Sequence, residues 1–391
     1  MNEEFRLQVL NFSSDNLKSK IGPAFQNRKW LVLLPFLLTL VSAVSAAEPL
    51  KWKEDWQRAV EAAKKEGQVS LYGGQEITHP DIVAAFNKEF PFIKVLSVAG
   101  RAADLMTRIA AERRADRYLA DVMASGPNGP RMLYLGKALD PIASTFILPE
   151  VTDASKWYDG KHWYADPDHQ YLFQFEGSIN STGLSYNTKM MSAGEIQSYW
   201  DLLLPKWKGK LLAMDPRSSA PPTPVLIFYH RPDVGPEFVR RLFKETDITL
   251  FRDRAQGTNW LASGKLPLCL LCRDIDKAAK QGLPVDDIAP DHLREGLTVG
   301  GGGSSVIVLI NRAPHPNAAK VFINWYLSRQ GQMVWQNVMN KKEVEASDSM
   351  RIDIAKDDVL ADAKRVEGKK YRVVGFLDPE PVQKLLQEVL K

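Results

Sequence analysis

From Lys51 onward, apolar positions along the chain switch repeatedly between two periods. In "KWKEDWQRAVEAAKKEG" Trp52, Trp56, Ala59, Val60 and Ala63 share one helical face, and Gly67 stops the run. "QVSLYGG" is a short apolar run closed by glycines, which predicts a strand. "HPDIVAAFNKEF" returns to the helical period, with Ile82, Val83, Phe86 and Phe90 facing inward. "FIKVLSVAG" predicts a strand, "ADLMTRIAAERRAD" a helix on Leu105, Ile109 and Ala110, "LADVMASG" a strand and "PRMLYLGKAL" a helix. Strands alternating with helices in this way predict a parallel sheet covered on both faces.

An aromatic stretch, "KWYDGKHWYADPDHQYLFQFEGSINSTGLSYNTKM", interrupts the pattern and ends in the strand "GLSYN". A second alternating run follows. "EIQSYWDLLL" reads as a helix, "GKLLAM" as a strand, "DPRSSAPPTP" as a helix start, "GPEFVRRLFKE" as a helix, "LPLCLLC" as a strand and "DIDKAAKQG" as a helix. A glycine-rich break, "GGGGSS", precedes the very apolar strand "VIVLI", then a proline turn and a helix whose inward face is Ala319, Phe322, Ile323, Tyr326 and Leu327. "PEPVQKLLQEVLK" closes the chain as a helix, and no internal repeat is visible.

Composition turns two runs into two lobes. The chain has 391 residues, and a single core stops growing at roughly 250–300. Hydrophobic residues make up 45%, charged residues 25%, and the net charge is only +4. The basic cluster "RIAAERRADR" interleaves Glu112 and Asp116, as the solvated face of a helix does. Nucleic acid is therefore not an expected partner.

The segment "NRKWLVLLPFLLTLVSAVSAAEPL" sets the compartment. Arg28 and Lys29 precede a short apolar run broken by Pro35, and Val44-Ser45-Ala46 puts small residues at the cleavage positions. The run is shorter than the ~20 residues that span a bilayer. Residues 28–47 are thus expected to be a signal peptide, and the polar residues 1–27 an unstructured extension. No Met other than Met1 precedes Met106, so a start site downstream of Met1 would use a different codon. Export implies a periplasmic location, since no lipid-anchoring cysteine follows the signal.

The chain's two cysteines, Cys269 and Cys272, fall in "LPLCLLC". Side chains alternate along a strand, so the two would point to opposite faces, and a disulfide would need the strand to break. Zinc-type partners are missing from the neighbouring sequence. Two buried free thiols, packing as small apolar groups, are the expectation.

Several blocks, taken in order, resemble the bacterial extracellular solute-binding proteins of ABC importers, in particular the branch with ferric-ion and small-anion binders. They are "AKKEGQVSLYGG", "AAFNKEFPFIKV", "LMTRIAAERRADRYLADV", "GLSYNTKM", "WDLLLPKWKGKLLAMDPRSS", "LASGKLPL" and "APHPNAAKVFINWYLSRQGQ". The resemblance implies a type 2 periplasmic binding protein fold: two doubly wound α/β lobes joined by two hinge crossings, near residues 175–182 and 303–310. Lobe 1 would comprise 51–176 and 305–328, lobe 2 177–304 and 329–391. It further implies a monomer that captures a small solute and hands it to an inner-membrane permease, with no cofactor and no catalysis.

Each strand-to-helix junction then offers candidate ligand-binding residues, because ligands in such lobes sit at strand C-termini facing helix N-termini. In the first run these are Gly74 and Gln75, Arg101, and Ser125 and Gly126. In the second they are Arg217, Ser218 and Ser219 before the "PP" helix start, and Arg273 and Asp274 after "LCLLC". Arginines suit a planar anion, and Asp274 would either cap the next helix or accept from a ligand amine. Ferric-binding relatives carry adjacent tyrosines near that last position, and no Tyr-Tyr pair occurs here. A small organic or oxo anion is therefore the favoured solute. A ferric chelate and a polyamine- or thiamine-like cation are the alternatives. Trp163, Tyr164, Tyr171 and Phe173 read either as core or as a stacking surface, and the scattered histidines show no metal spacing. A secreted hydrolase is the competing class. It would need Ser218 or Ser304 as nucleophile, with no assignable base.

Overall fold

The structure is a computed structural model that describes residues 51–217, 221–300, 305–341, 346–360, 363–366 and 368–391. The expected extension and signal peptide lie outside the described residues. Among those described, no helix is long and apolar enough to cross a membrane.

Residues 51–66 form helix α1, which stops at Gly67 with φ +70°. Then come β1 (Gln68–Gly73), α2 (Gln75–Thr78), α3 (Pro80–Glu89), β2 (Lys94–Ala99), α4 (Ala102–Arg114), β3 (Val122–Ser125), α5 (Asn128–Leu135), β4 (Leu139–Asp140), α6 (Pro149–Thr152) and β5 (Phe173–Gln174). With β12 (Val306–Ile310) these strands build the first sheet, in the order β2-β1-β3-β12-β4, with β5 also on β12. β1, β2 and β3 are parallel, and β12 runs against β3, β4 and β5.

The second sheet takes β6 (Leu184–Asn187), β7 (Leu211–Met214), β8 (Thr249–Phe251), β9 (Leu268–Leu270) and β10 (Val285–Asp287), in the order β10-β6-β9-β7-β8. Its helices are α7 (Thr223–His230), α8 (Gly235–Glu245), α9 (Arg254–Ala262) and α10 (Ile275–Lys280). β11 (Thr298–Gly300) leads back to β12, which is followed by α11 (Pro316–Leu327) and α12 (Arg329–Lys341). The chain ends with β13 (Arg372–Val374), paired with β11, and α13 (Pro379–Val389).

Each sheet is buried on both faces. One face of the first carries Phe86 from α3, Phe322 and Trp325 from α11 and Trp335 from α12. Leu105 and Ile109 of α4 and Leu133 of α5 cover the other. The second sheet is covered by α7, α8 and α13 on one side, and by Leu261, Ile275 and Ala278 of α9 and α10 on the other. The alternating pattern predicts this double layering, because parallel strands need helical crossovers.

Three passages join the halves. The first, residues 175–183, leaves β5 and arrives at β6. The second runs from β11 to β12. It was expected to extend to Ile310, but Val306–Ile310 is a fully paired strand of the first sheet, so it ends before Val306. The third follows α12. Glu176 bridges to Ser349 and Ile179 to Val299, so the passages lie side by side. A Cβ on Gly177 would collide with Met350. Glu176 accepts from Ser178 Oγ at 2.8 Å and from the Ser305 N–H at 2.8 Å. Asp348, buried in the third passage, pairs with Lys356 at 2.7 Å and Arg365 at 3.1 Å. Farther along, the Phe376 N–H donates to Ala165 O at 2.9 Å, and Arg131 of α5 pairs with Asp378, the N-cap of α13, at 2.9 Å.

The expected boundary at residue 329 is corrected. α12 belongs to the first half, because Trp335 is fully buried there against Phe175 and α12 packs on α11 and α3. Only the end of the chain, with Leu377, Val382, Leu385 and Leu386, joins the second core. Trp335→Ala should therefore cost about 3–5 kcal/mol. Urea unfolding followed through the first half would show the loss, and an unchanged midpoint would contradict this packing.

Candidate functional site

Strand direction decides where a ligand can sit. β12 enters the first sheet at Val306, which pairs with Ser125 at the C-terminal end of β3. β6 enters the second at Leu184, which pairs with Leu270 at the C-terminal end of β9. Both partnerships are antiparallel. The C-terminal ends of β1, β2 and β3, and those of β7, β8 and β9, therefore all point at the hinge side. Helices that follow parallel strands start at the same edge, with free N–H groups and the positive end of the dipole.

At the first edge lies a cavity of about 540 Å³ lined by Gly74, Gln75, Glu76, Ala99, Gly100, Arg101, Ala102, Ser125 and Gly126. Its size suits a small molecule. Strand β1 can approach β3 here because Gly73 has no side chain to meet the Ala124 carbonyl. The Gly74 N–H donates to Glu76 Oε1 at 3.1 Å. Arg101 occupies the N-cap position of α4 without a side-chain capping bond, and its exposed guanidinium pairs with Asp104 at 3.0 Å. Ser125 is buried, and its hydroxyl donates to Gly126 O at 3.0 Å. All five first-run candidates thus line one cavity. Sequence reasoning passed over Glu76, a charged wall residue; an acid directly after "GGQ", in the first turn of a helix, was the available signal.

The described second-run candidates, Arg217, Arg273 and Asp274, follow β7 and β9 and are not among the described residues that line that cavity. Ser218 and Ser219 lie outside the described residues. Arg217 grips the buried Asp215 through two bonds of 2.9 Å, and its third nitrogen donates to the Leu390 carbonyl. Arg252, which was not anticipated, follows β8 and donates to Asp215 Oδ2, an oxygen that Arg217 also bonds, at 3.3 Å while its side chain stays 79% exposed. The hydrogen bonds from Arg217 hold the Asp215 carboxyl at about 2, against the upward push of burial. Arg273 is exposed, and its carbonyl accepts from Thr258 Oγ1 at 2.7 Å. Asp274 takes the N-cap position of α10 at φ +55°, but its side chain makes no capping bond.

The expectation of two free thiols is overturned. Cys269 and Cys272 form a disulfide, with Cα atoms 5.9 Å apart. The strand does break: β9 ends at Leu270, and Leu271 turns into the left-handed region at φ +67°. A bulky residue rarely adopts that conformation, which costs on the order of 1–3 kcal/mol. The turn swings Cys272 back toward Cys269.

Of the aromatic stretch, Phe173 enters the core, and Trp163, Tyr164 and Tyr171 pack half-buried against the cores. Phe173 is fully buried and meets Phe146, Trp157 and Tyr164 edge-on. His162 packs beside it, and burial pushes its pKa down. Among the described residues, no group of three His, Cys, Asp or Glu side chains is placed to hold a metal ion.

The two sheets form two α/β halves, joined by neighbouring passages, with their parallel strands ending on the hinge side. The profile of the bacterial extracellular solute-binding proteins matches residues 81–341, well over half of the chain, and the chain belongs to that family. Solved structures agree in fold. The Trichodesmium protein IdiA (FutA), in complex with iron and citrate, superposes with a TM-score of 0.58 at 16% identity, over 83% of this chain and 99% of that one. An ABC transporter protein from Clostridium perfringens gives 0.56 at 14%, over 82% and 96%. The spermidine/putrescine-binding PotD of Streptococcus pneumoniae gives 0.52 at 13%, over 83% and 98%. A sequence search of curated proteins finds no significant match.

Because the Asp215 carboxyl titrates below the ordinary 3.8, its ionised form stabilises the fold fully above about pH 4. That contribution fades as the pH falls through about 2. Asp215→Asn should flatten this acid limb in urea midpoints taken from pH 5 to 2. Parallel limbs in the two proteins would refute the pairing.

Proposed function

We propose that this chain is the periplasmic solute-capturing subunit of an ABC importer, acting as a monomer that closes on a small solute and delivers it to a membrane permease. The observation that carries the reading is the gathering of Gly74, Gln75, Arg101, Ser125 and Gly126 around one cavity beside a hinge. Family membership supports binding and transport rather than catalysis. The apolar segment at 28–47 supports export.

The favoured solute is a small organic or oxo anion. Arg101 on the first half, and the exposed Arg252 and Arg273 on the second, supply cations at the strand ends that turn toward the gap. Arg217 is engaged with Asp215 and Leu390, so its role is to brace the second half's loop. An anionic ferric chelate has the same chemistry. Glu76 in the cavity wall supports a second reading, a solute with a cationic group.

A thermal-shift panel of phosphonates, sulfonates, carboxylates, amines and ferric chelates on the purified protein tests this. An anion at a hundred times its Kd should stabilise by about 2.7 kcal/mol. Arg252→Ala and Arg273→Ala should each weaken that anion by roughly 1.5–3 kcal/mol, the worth of a charge-assisted hydrogen bond. Stabilisation by amines alone, abolished in Glu76→Gln, would favour the cationic reading. Unchanged anion affinity in both arginine variants would overturn their assignment.

A further inference from the structure

The chain's one cysteine pair is spent on a span of four residues, at the tip of a strand that ends on the hinge side. So short a loop closes little of the unfolded chain, and the entropic gain of a disulfide grows with loop length. Its effect must therefore be sought locally.

Three segments meet at this tip. The Leu271 N–H donates to Gly183 O at 2.7 Å, and Gly183 is the last residue of the first passage before β6. Gly183 itself sits at φ +71°, where a Cβ would lie 3.0 Å from Pro224 of α7 and 3.4 Å from Leu271. The Leu271 side chain is buried in the second core, while Cys269 is fully buried on the opposite face of the sheet. Cys272 packs half-buried on that opposite core. The disulfide thus clasps one core while Leu271 plugs the other, and the backbone between them is held left-handed. Arg273 follows at once, its carbonyl fixed by Thr258 of α9, and Asp274 repeats the left-handed turn before α10.

We propose that the Cys269–Cys272 disulfide is a positioning element: it holds Leu271 in its left-handed turn and so fixes Arg273 relative to Gly183, where the hinge enters the second half. The role given to Arg273 rests on the anion-binding reading above; the clasp itself does not. Without the bond, Leu271 can relax to extended backbone, its N–H leaves Gly183, and Arg273 loses its fixed place at the strand end.

Hydrogen exchange by mass spectrometry tests this without any solute. The full chain is compared oxidised, reduced with dithiothreitol, and as Cys269→Ser/Cys272→Ser. Dithiothreitol supplies two electrons and two protons to give two thiols, and closes to its own cyclic disulfide. The amides of 271–275 should exchange at least tenfold faster in the reduced protein and in the variant. Those of β1 and β7, and the urea midpoint of the first half, should stay unchanged. The reduced wild type keeps the test valid if serine at the buried position 269 disturbs folding. Three results would overturn the proposal: equal exchange at 271–275, a uniform rise across the chain, or two alkylatable thiols in the unreduced protein. If the loop loosens as expected yet Arg273→Ala leaves anion affinity unchanged, the clasp stands and the ligand-binding role given to Arg273 fails.

Discussion

A strand that enters a sheet from a hinge must run away from that hinge. Its antiparallel neighbour must then end there. That constraint acts twice in this molecule, through β12 against β3 and β6 against β9. Parallel pairing carries the orientation outward to β1, β2, β7 and β8. Helices α2, α4 and α5 consequently begin at the hinge side of the first half, and α7, α9 and α10 at the hinge side of the second. The placement of every candidate binding residue follows from this geometry. Loop sequence only chooses which chemistry is displayed.

The hinge side is densely bonded. Glu176, Ser178, Asp348 and Arg365 are buried together between the passages, and burial lowers the Lys356 pKa to about 8 even with Asp348 beside it. Buried charges of this kind contribute more to a specific geometry than to net stability, because desolvation offsets much of the attraction. Here Glu176 and Ser178 of the first passage bond to Ser305 of the second and to the Asp348 N–H of the third.

Alternation of period and the glycine stops made the sheets and most helices legible in the sequence, because burial on both faces leaves a strong apolar signature. That the first-half candidates would cluster was legible for the same reason: residues just past a strand end share an edge whatever their type. Less visible was anything that depends on partners distant in sequence. Trp335 lies on an amphipathic helix that would suit either core, and its contact with Phe175 and the packing of α12 on α3 and α11 assign it. Arg217 and Arg252 look alike in sequence, yet one is bound by Asp215 and Leu390 and the other is largely exposed. The disulfide was missed because strand alternation was extended one residue too far. Nothing local in "LCLLC" announces that its last leucine, Leu271, turns left-handed.

The third passage has a mechanical meaning. Two tethers let a pair of bodies bend and also twist about the line between them. A third, docked on the first half as far as Phe376 and anchored in the second through α13, resists torsion. A bend at the passages would then preserve the register between the two halves.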